Sequence, residues 1–116
     1  MSGFARHERL RRPAEFKQVY ERGARIHGRY ATVFLLPNAL VVGRLGITAS
    51  RKLGNAVRRN RAKRLIREVF RRNKLAPGFD VVIVPKPELL DASLTAIEAE
   101  YRRNIQPRLR QIRRSG

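Results

Sequence analysis

Residues 51–72, RKLGNAVRRNRAKRLIREVFRR, hold ten basic residues and a single acid, Glu68, in a stretch with helical periodicity. At about 100° per residue, Ala62, Leu65, Ile66, Val69 and Phe70 fall on one side, the spacing of a face packed on a core. Asn60, Arg64, Arg67 and Arg71 recur on the opposite side, with Arg59, Arg61 and Lys63 on the flanks. Such a helix can be neither buried all round nor left standing in water. It must lie across another layer of structure, apolar face down, and hold a cationic stripe outward.

The placement of the charge carries a second constraint. Asn55, after Gly54, is a plausible N-cap, which puts Arg58, Arg59 and Arg61 in or near the first turn. A helix N-terminus is already partly positive, and each cation there costs about 0.3–1 kcal/mol. A solvated stability helix would carry acids at that end and Glu-to-Lys pairs four apart, and this one has almost none. Phosphate removes the conflict, because free N–H groups and guanidinium forks can converge on one anion.

The chain is 116 residues long with a formal net charge of +18, so one domain with one core is expected, flanked by a basic N-terminal arm (1–12) and a basic tail (107–116). Nucleic acid is the favoured partner for this polycation over a membrane. No apolar run approaches the roughly 20 residues of a span, and the cationic helix has a core face where an interfacial helix would expose Trp, Phe and Leu. The N-terminal MSGFARHERLRR has no apolar segment of a signal peptide, so a cytoplasmic protein is expected. With no cysteine, disulfide frameworks and cysteine-based zinc sites are excluded.

Along the chain, Pro13 to Arg22 reads as a first helix, with Pro13 in the first turn, Glu15 complementing the dipole and Gly23 as the stop. A short extended piece at Ala24 to His27 precedes a strand at Arg29 to Leu36. After a Pro37-Asn38 turn, a second long strand runs from Val41 to Ser50, and the two read as an antiparallel hairpin. The basic helix follows, then a break at Ala76-Pro77-Gly78. Val81 to Val84 is a continuous β-branched run suited to a strand buried on both faces. Asp91 or Ser93 is placed to cap a last helix built on Leu94, Ile97, Tyr101 and Ile105, which Pro107 should stop or kink, leaving RLRQIRRSG as a frayed tail. The fold class is α+β, helices packed on a mainly antiparallel sheet.

Residues for catalysis are few. His7 and His27 lie in unrelated contexts, no nucleophile motif is present, and the nine carboxylates form no compact metal-binding cluster, so neither catalytic nor metal-ligating residues are assigned. The aromatics suggest a groove instead. Phe16 and Tyr20 share a helix face, Tyr30 and Phe34 share a strand face, and Thr32 and Thr48 accompany them. Base stacking on such rings is worth about 1–3 kcal/mol per base, although Phe16 and Phe34 would serve equally as core residues.

The run from Leu45 to Arg64, LGITASRKLGNAVRRNRAKR, resembles the signature of the bacterial ribonuclease P protein family, whose RNR motif is Arg59-Asn60-Arg61 followed by Lys63-Arg64. The likeness extends over an N-terminal Arg-Leu, the Glu15-Phe16 and Tyr20 pattern, Gly23 and the Phe79-to-Ile83 strand. It implies an α-β-β-β-α-β-α sandwich like the second domain of ribosomal protein S5, with a left-handed β-α-β crossover around the motif helix, against a right-handed rule obeyed by about 98% of such units.

The resemblance also implies a function. The chain would be the RNA-binding subunit of ribonuclease P, bound to a catalytic RNA that removes the 5′ leader of precursor tRNA, with magnesium serving the holoenzyme and none held by the protein alone. Facing that RNA would be Arg51, Lys52, Asn55 and Arg58 at the helix entry and Arg59, Asn60, Arg61, Lys63, Arg64, Arg67 and Arg71 along it. The cleft for the single-stranded leader would comprise Phe16, Tyr20, Thr32, Phe34 and Thr48. Phe34 stands where some relatives carry tyrosine, which keeps the ring and loses a hydroxyl. Apart from RNA, a monomer is expected. The rival readings are a ribosomal-type RNA-binding protein, which predicts no leader groove, and an autonomous nuclease, which predicts cleavage without the RNA.

Overall fold

A strand whose consecutive side chains are all apolar has to be covered on both faces, and Val81, Val82 and Ile83 are each buried. They belong to an inner strand of a four-stranded sheet. The structure, a computed structural model, describes residues 8–75 and 77–115, with side chains through Arg113. The elements are α1 (Pro13–Arg22), β1 (Ala24–His27), β2 (Ala31–Pro37), β3 (Arg44–Ile47), α2 (Ala56–Arg72), β4 (Phe79–Pro85), α3 (Leu94–Glu100) and α4 (Gln106–Ser115). β1 and β4 each run antiparallel to β2, and β3 runs parallel to β4.

The expected hairpin is therefore absent: β2 and β3 do not pair, because β4 lies between them with Gly46 opposite Val82 on one side and Phe34 opposite Val82 on the other. The expected strand from 41 to 50 also shrinks to Arg44–Ile47. Asn38 folds the preceding loop on itself, its Oδ1 accepting from the Leu40 N–H at 2.8 Å and its Nδ2 donating to the Val42 carbonyl at 3.2 Å. Past β3, a 3₁₀ turn over Arg51–Leu53 redirects the chain into α2.

The pleat divides the core in two. Ala31, Val33, Leu35, Leu45, Val81 and Ile83 face α2 and the C-terminal helices, where Ala62, Ile66, Val69, Phe70, Ile97 and Tyr101 complete the main core. The opposite face carries Phe34, Leu36, Val82 and Val84 against Val19 and Phe16 of α1. Leu10 joins this smaller core, and its N–H donates to the Leu45 carbonyl at 3.0 Å. Residues 9 and 10, within the expected basic arm, thus extend the sheet edge beside β3. Residues 1–7, including His7, and Ala76 of the expected break lie outside the described residues.

Pro107 does not end the last helix. A π-helical turn over Tyr101–Ile105, closed by the Gln106 N–H on the Tyr101 carbonyl, comes just before it, so Pro107 sits in the first turn of α4, where its missing N–H is tolerated. The expected frayed tail is in fact helical, with Leu109 buried and Ile112 packed on the main core.

One ion-paired cluster fastens α1 to the sheet. Arg44 on β3 donates to Asp80 on β4 from Nε and Nη2, both at 2.8 Å, and to Glu15 on α1 from Nη1 at 2.8 Å. Glu15 also accepts from the backbone N–H groups of Arg12 and Arg11, which are the main cause of its lowered pKa, with Arg44 contributing further. A carboxylate with a lowered folded pKa stabilises in full above its ordinary value of 4.5 and loses that contribution as pH falls through the folded value. Glu15→Gln is accordingly expected to be less stable than wild type in urea unfolding at pH 7, with the gap narrowing at pH 3. A gap that is constant across pH would contradict this role.

Candidate nucleic-acid interface

α2 begins as its sequence dictates. Asn55 Oδ1 accepts from the Arg58 N–H at 3.0 Å, capping the first turn. Gly54 precedes it at φ 114°, and a Cβ there would lie 2.7 Å from Arg58 Cδ. The glycine lets the Arg58 side chain double back so that its Nε donates to the Leu53 carbonyl at 2.7 Å. Arg58 therefore secures the helix entry with one donor, which leaves its two terminal nitrogens for an outside anion.

Ala62, Ile66, Val69 and Phe70 are buried, with Leu65 packed beside them, as the periodicity requires. Asn60, Arg61, Arg64 and Arg67 are exposed, as are Arg51 and Lys52 on the preceding turn, while Arg59 and Lys63 are half-buried on the flanks. The side chains of Arg51, Lys52, Arg59, Arg61, Lys63, Arg64 and Arg67 make no ion pair or hydrogen bond with a described residue. Arg71 differs from the rest of the stripe. Its Nε and Nη2 donate to Glu68 at 3.0 and 2.5 Å, and Arg72 joins at 3.2 Å. Those bonds, from Arg71 above all, pull the Glu68 carboxyl down to about 2. The free ridge thus runs from the helix entry to Arg67 and stops short of Arg71.

On the other side of the sheet, where the groove was expected, Phe34, Leu36 and Val84 stay only partly buried beside α1. The Tyr20 and Phe34 rings meet edge to face at 5.0 Å between centroids and 82° between planes. The Tyr20 hydroxyl hydrogen-bonds the Thr48 hydroxyl, which ties α1 to the chain leaving β3. Thr32 is nearly buried on the same face, its hydroxyl 3.5 Å from His27 Nδ1. Tyr20, Thr32, Phe34 and Thr48 are thereby brought together. Phe16 stands apart at the neighbouring end of α1, its Cε1 only 2.5 Å from where a Gly46 Cβ would be. Only a glycine in β3 lets that ring lie on the strand.

Phe16 and the ridge meet over β3. A hollow of about 130 Å³ there is lined by Arg9, Phe16, Gly46 and Ile47 together with Lys63 and Arg67 of α2. Because β3 is an edge strand, cations from the helix beneath the sheet reach the same opening as an aromatic ring from the helix above it.

Two participants were missed in the sequence. The Arg25 guanidinium lies 5.7 Å from the centre of the Phe34 ring, and His27 sits opposite Thr32, both on β1. The signal was the alternation of Ala24 to His27, which puts Arg25 and His27 on one face. Among the described residues, no cluster of three or more His, Asp or Glu side chains is arranged to hold a metal ion.

The geometry meets its counterpart in the comparisons with known proteins. The family model for ribonuclease P matches residues 4–107. The chain belongs to the ribonuclease P protein family. It is 43% identical over 88 residues to the ribonuclease P protein component of Thermotoga maritima, covering 74% of this chain and 75% of that one. The solved ribonuclease P protein from the same organism superposes with a TM-score of 0.72 at 35% identity, over 80% of this chain and 90% of that one. That of Staphylococcus aureus gives 0.73 at 33% identity, over 83% and 90%. Membership makes the chain the RNA-binding subunit of an endoribonuclease holoenzyme whose partner is the ribonuclease P RNA. The fold is that of the family.

The Tyr20 to Thr48 bond is expected to contribute about 0.5–1.5 kcal/mol. Tyr20→Phe and Thr48→Val should each cost that much in urea unfolding, and the double variant should cost little more than either alone. Additive losses would show that the two hydroxyls act separately.

Proposed function

We propose that the chain assists ribonuclease P RNA by holding precursor tRNA on both sides of the cleavage site, the leader in the α1 groove and the crowded RNA backbones along the α2 ridge. The observation that carries this reading is the hollow where Phe16 meets Lys63 and Arg67 across the β3 edge. A strand leaving the groove there passes directly from stacking rings to phosphate-binding cations.

The polypeptide supplies binding energy and leaves bond cleavage to the RNA. Its carboxylates are largely committed: Glu15 and Asp80 to Arg44, Glu68 to Arg71 and Arg72, Glu98 to Asn73, and Glu100 to the backbone of Arg29 and Tyr30. Stacking on Tyr20 and Phe34 and phosphate contacts from the ridge are indifferent to base identity, which suits an enzyme that accepts many leaders. Magnesium is expected to serve the holoenzyme, with the ridge offsetting phosphate repulsion near it. The protein acts in the cytoplasm, as a monomer apart from RNA. Among the described residues, no helix is long and apolar enough to cross a membrane.

Reconstitution at low magnesium tests the division of labour: cleavage of precursor tRNA should require both the protein and the catalytic RNA, and cleavage by the protein alone would overturn it. For the ridge, contact with roughly six phosphates gives a log-log salt slope near −4 to −5. Arg64→Ala and Arg67→Ala should each weaken binding and make that slope shallower. For the groove, Phe34→Ala should weaken binding of precursor with a leader by about 1–3 kcal/mol per base unstacked while sparing mature tRNA. Equal loss for both RNAs would rule out a leader groove.

A further inference from the structure

α4 lies at the end of the family match, which stops at residue 107, yet it is firmly built into the fold. Leu109 is buried in the main core and Ile112 packs beside it. The face next to these residues carries Gln106, Arg110 and Arg113, spaced four and three apart, and α4 contains no acid. Across from it stands Lys74, in the connection between α2 and β4. Lys74, Gln106, Arg110 and Arg113 rim an opening of about 360 Å³ floored by Leu75 and Leu109, and no carboxylate lines it.

Helix-dipole compensation does not explain this cluster. It accounts for a cation in the last turn, such as Arg113, but Arg110 lies a turn earlier and Lys74 belongs to another element. Arg113 is held in place, with Nη2 donating to the Pro77 carbonyl at 3.0 Å and its guanidinium 5.7 Å from the centre of the Phe79 ring. Lys74 and Arg110 are exposed, and their side chains make no hydrogen bond or ion pair with a described residue. Three cations from two elements facing one concave surface repel one another until an anion lies between them. The rim suits phosphates, and the apolar floor suits the sugar between them.

We infer that this opening is a second RNA-backbone site, taking phosphates of the ribonuclease P RNA. The inference rests on the function proposed above. Its assignment to the catalytic RNA follows from position: α4 packs on the α2 side of the sheet, whereas the leader groove lies on the α1 side. A leader held among Tyr20 and Phe34 is directed away from it.

The test uses full-length protein and catalytic RNA without precursor, with affinity measured over a range of salt concentrations. Lys74→Gln, Arg110→Gln and the double variant are compared with Arg64→Ala. The free variants should melt as wild type does, since neither side chain has a partner among the described residues. Each single variant should flatten the log-log salt slope by about 0.9, and the double by about 1.8. A double variant with wild-type slope, alongside a weakened Arg64→Ala, would overturn the α4 site and leave the ridge standing. Wild-type slopes in all variants would overturn the ridge as well. A loss confined to precursor tRNA binding by the assembled holoenzyme would overturn the assignment to the catalytic RNA.

Discussion

Burial of β4 on both faces is the constraint from which the rest of the architecture follows. A strand reading Val-Val-Ile needs a strand on each side and a helical layer above and below. β2 and β3 flank it, α1 covers one face, and α2 with the C-terminal helices covers the other. Each feature proposed to meet RNA inherits its position from this arrangement. The proposed groove lies on the α1 face, where Phe34, Leu36 and Val84 are only partly buried. The ridge lies beyond the opposite face because α2 must turn its apolar side inward.

The acids are used as internal fasteners. Asp80 holds β3 through Arg44, and Glu15 ties α1 to the same guanidinium, whose pKa is raised chiefly by the hydrogen bonds it donates to Asp80. Glu98 accepts from Asn73 at 2.7 Å, joining the end of α2 to α3. Glu100 receives the N–H groups of Arg29 and Tyr30 at 2.6 and 3.1 Å, pinning the β1–β2 turn to α3. An acid placed on the ridge would cancel the field that attracts RNA, whereas an acid between elements stabilises the fold without weakening that field.

The sequence disclosed what local periodicity encodes. α1 and α2 fall where their caps and apolar spacing put them, Asn55 included, and β4 is recognisable from its unbroken β-branched run. Strand neighbours were not legible in the same way. Residues 29–36 and 41–50 look like a hairpin because they are adjacent in the chain, whereas the insertion of β4 between them rests on long-range pairing that leaves no local signal. The tail was misread for a related reason. Pro107 suggests a break, and the π-helical turn that accommodates it has no sequence signature of its own, so the burial of Leu109 became visible only in three dimensions. In the candidate site, Tyr20, Thr32, Phe34 and Thr48 lie together while Phe16 stands apart at the other end of α1, and Arg71 is drawn off the stripe because Glu68 three residues earlier claims it.

The link between stacking and charge depends on a residue without a side chain. Gly46 lets Phe16 lie on β3, and β3 is the strand around which Lys63 and Arg67 reach. A Cβ at that position would collide with the ring, and overpacking of this kind typically costs about 1–3 kcal/mol. A substitution there would displace Phe16 from the hollow it shares with the two cations and leave the ridge and the groove each intact but separated. A bare sequence therefore shows the cations and the aromatics plainly, while the feature that joins them into one surface is the absence of a methyl group in the middle of an edge strand.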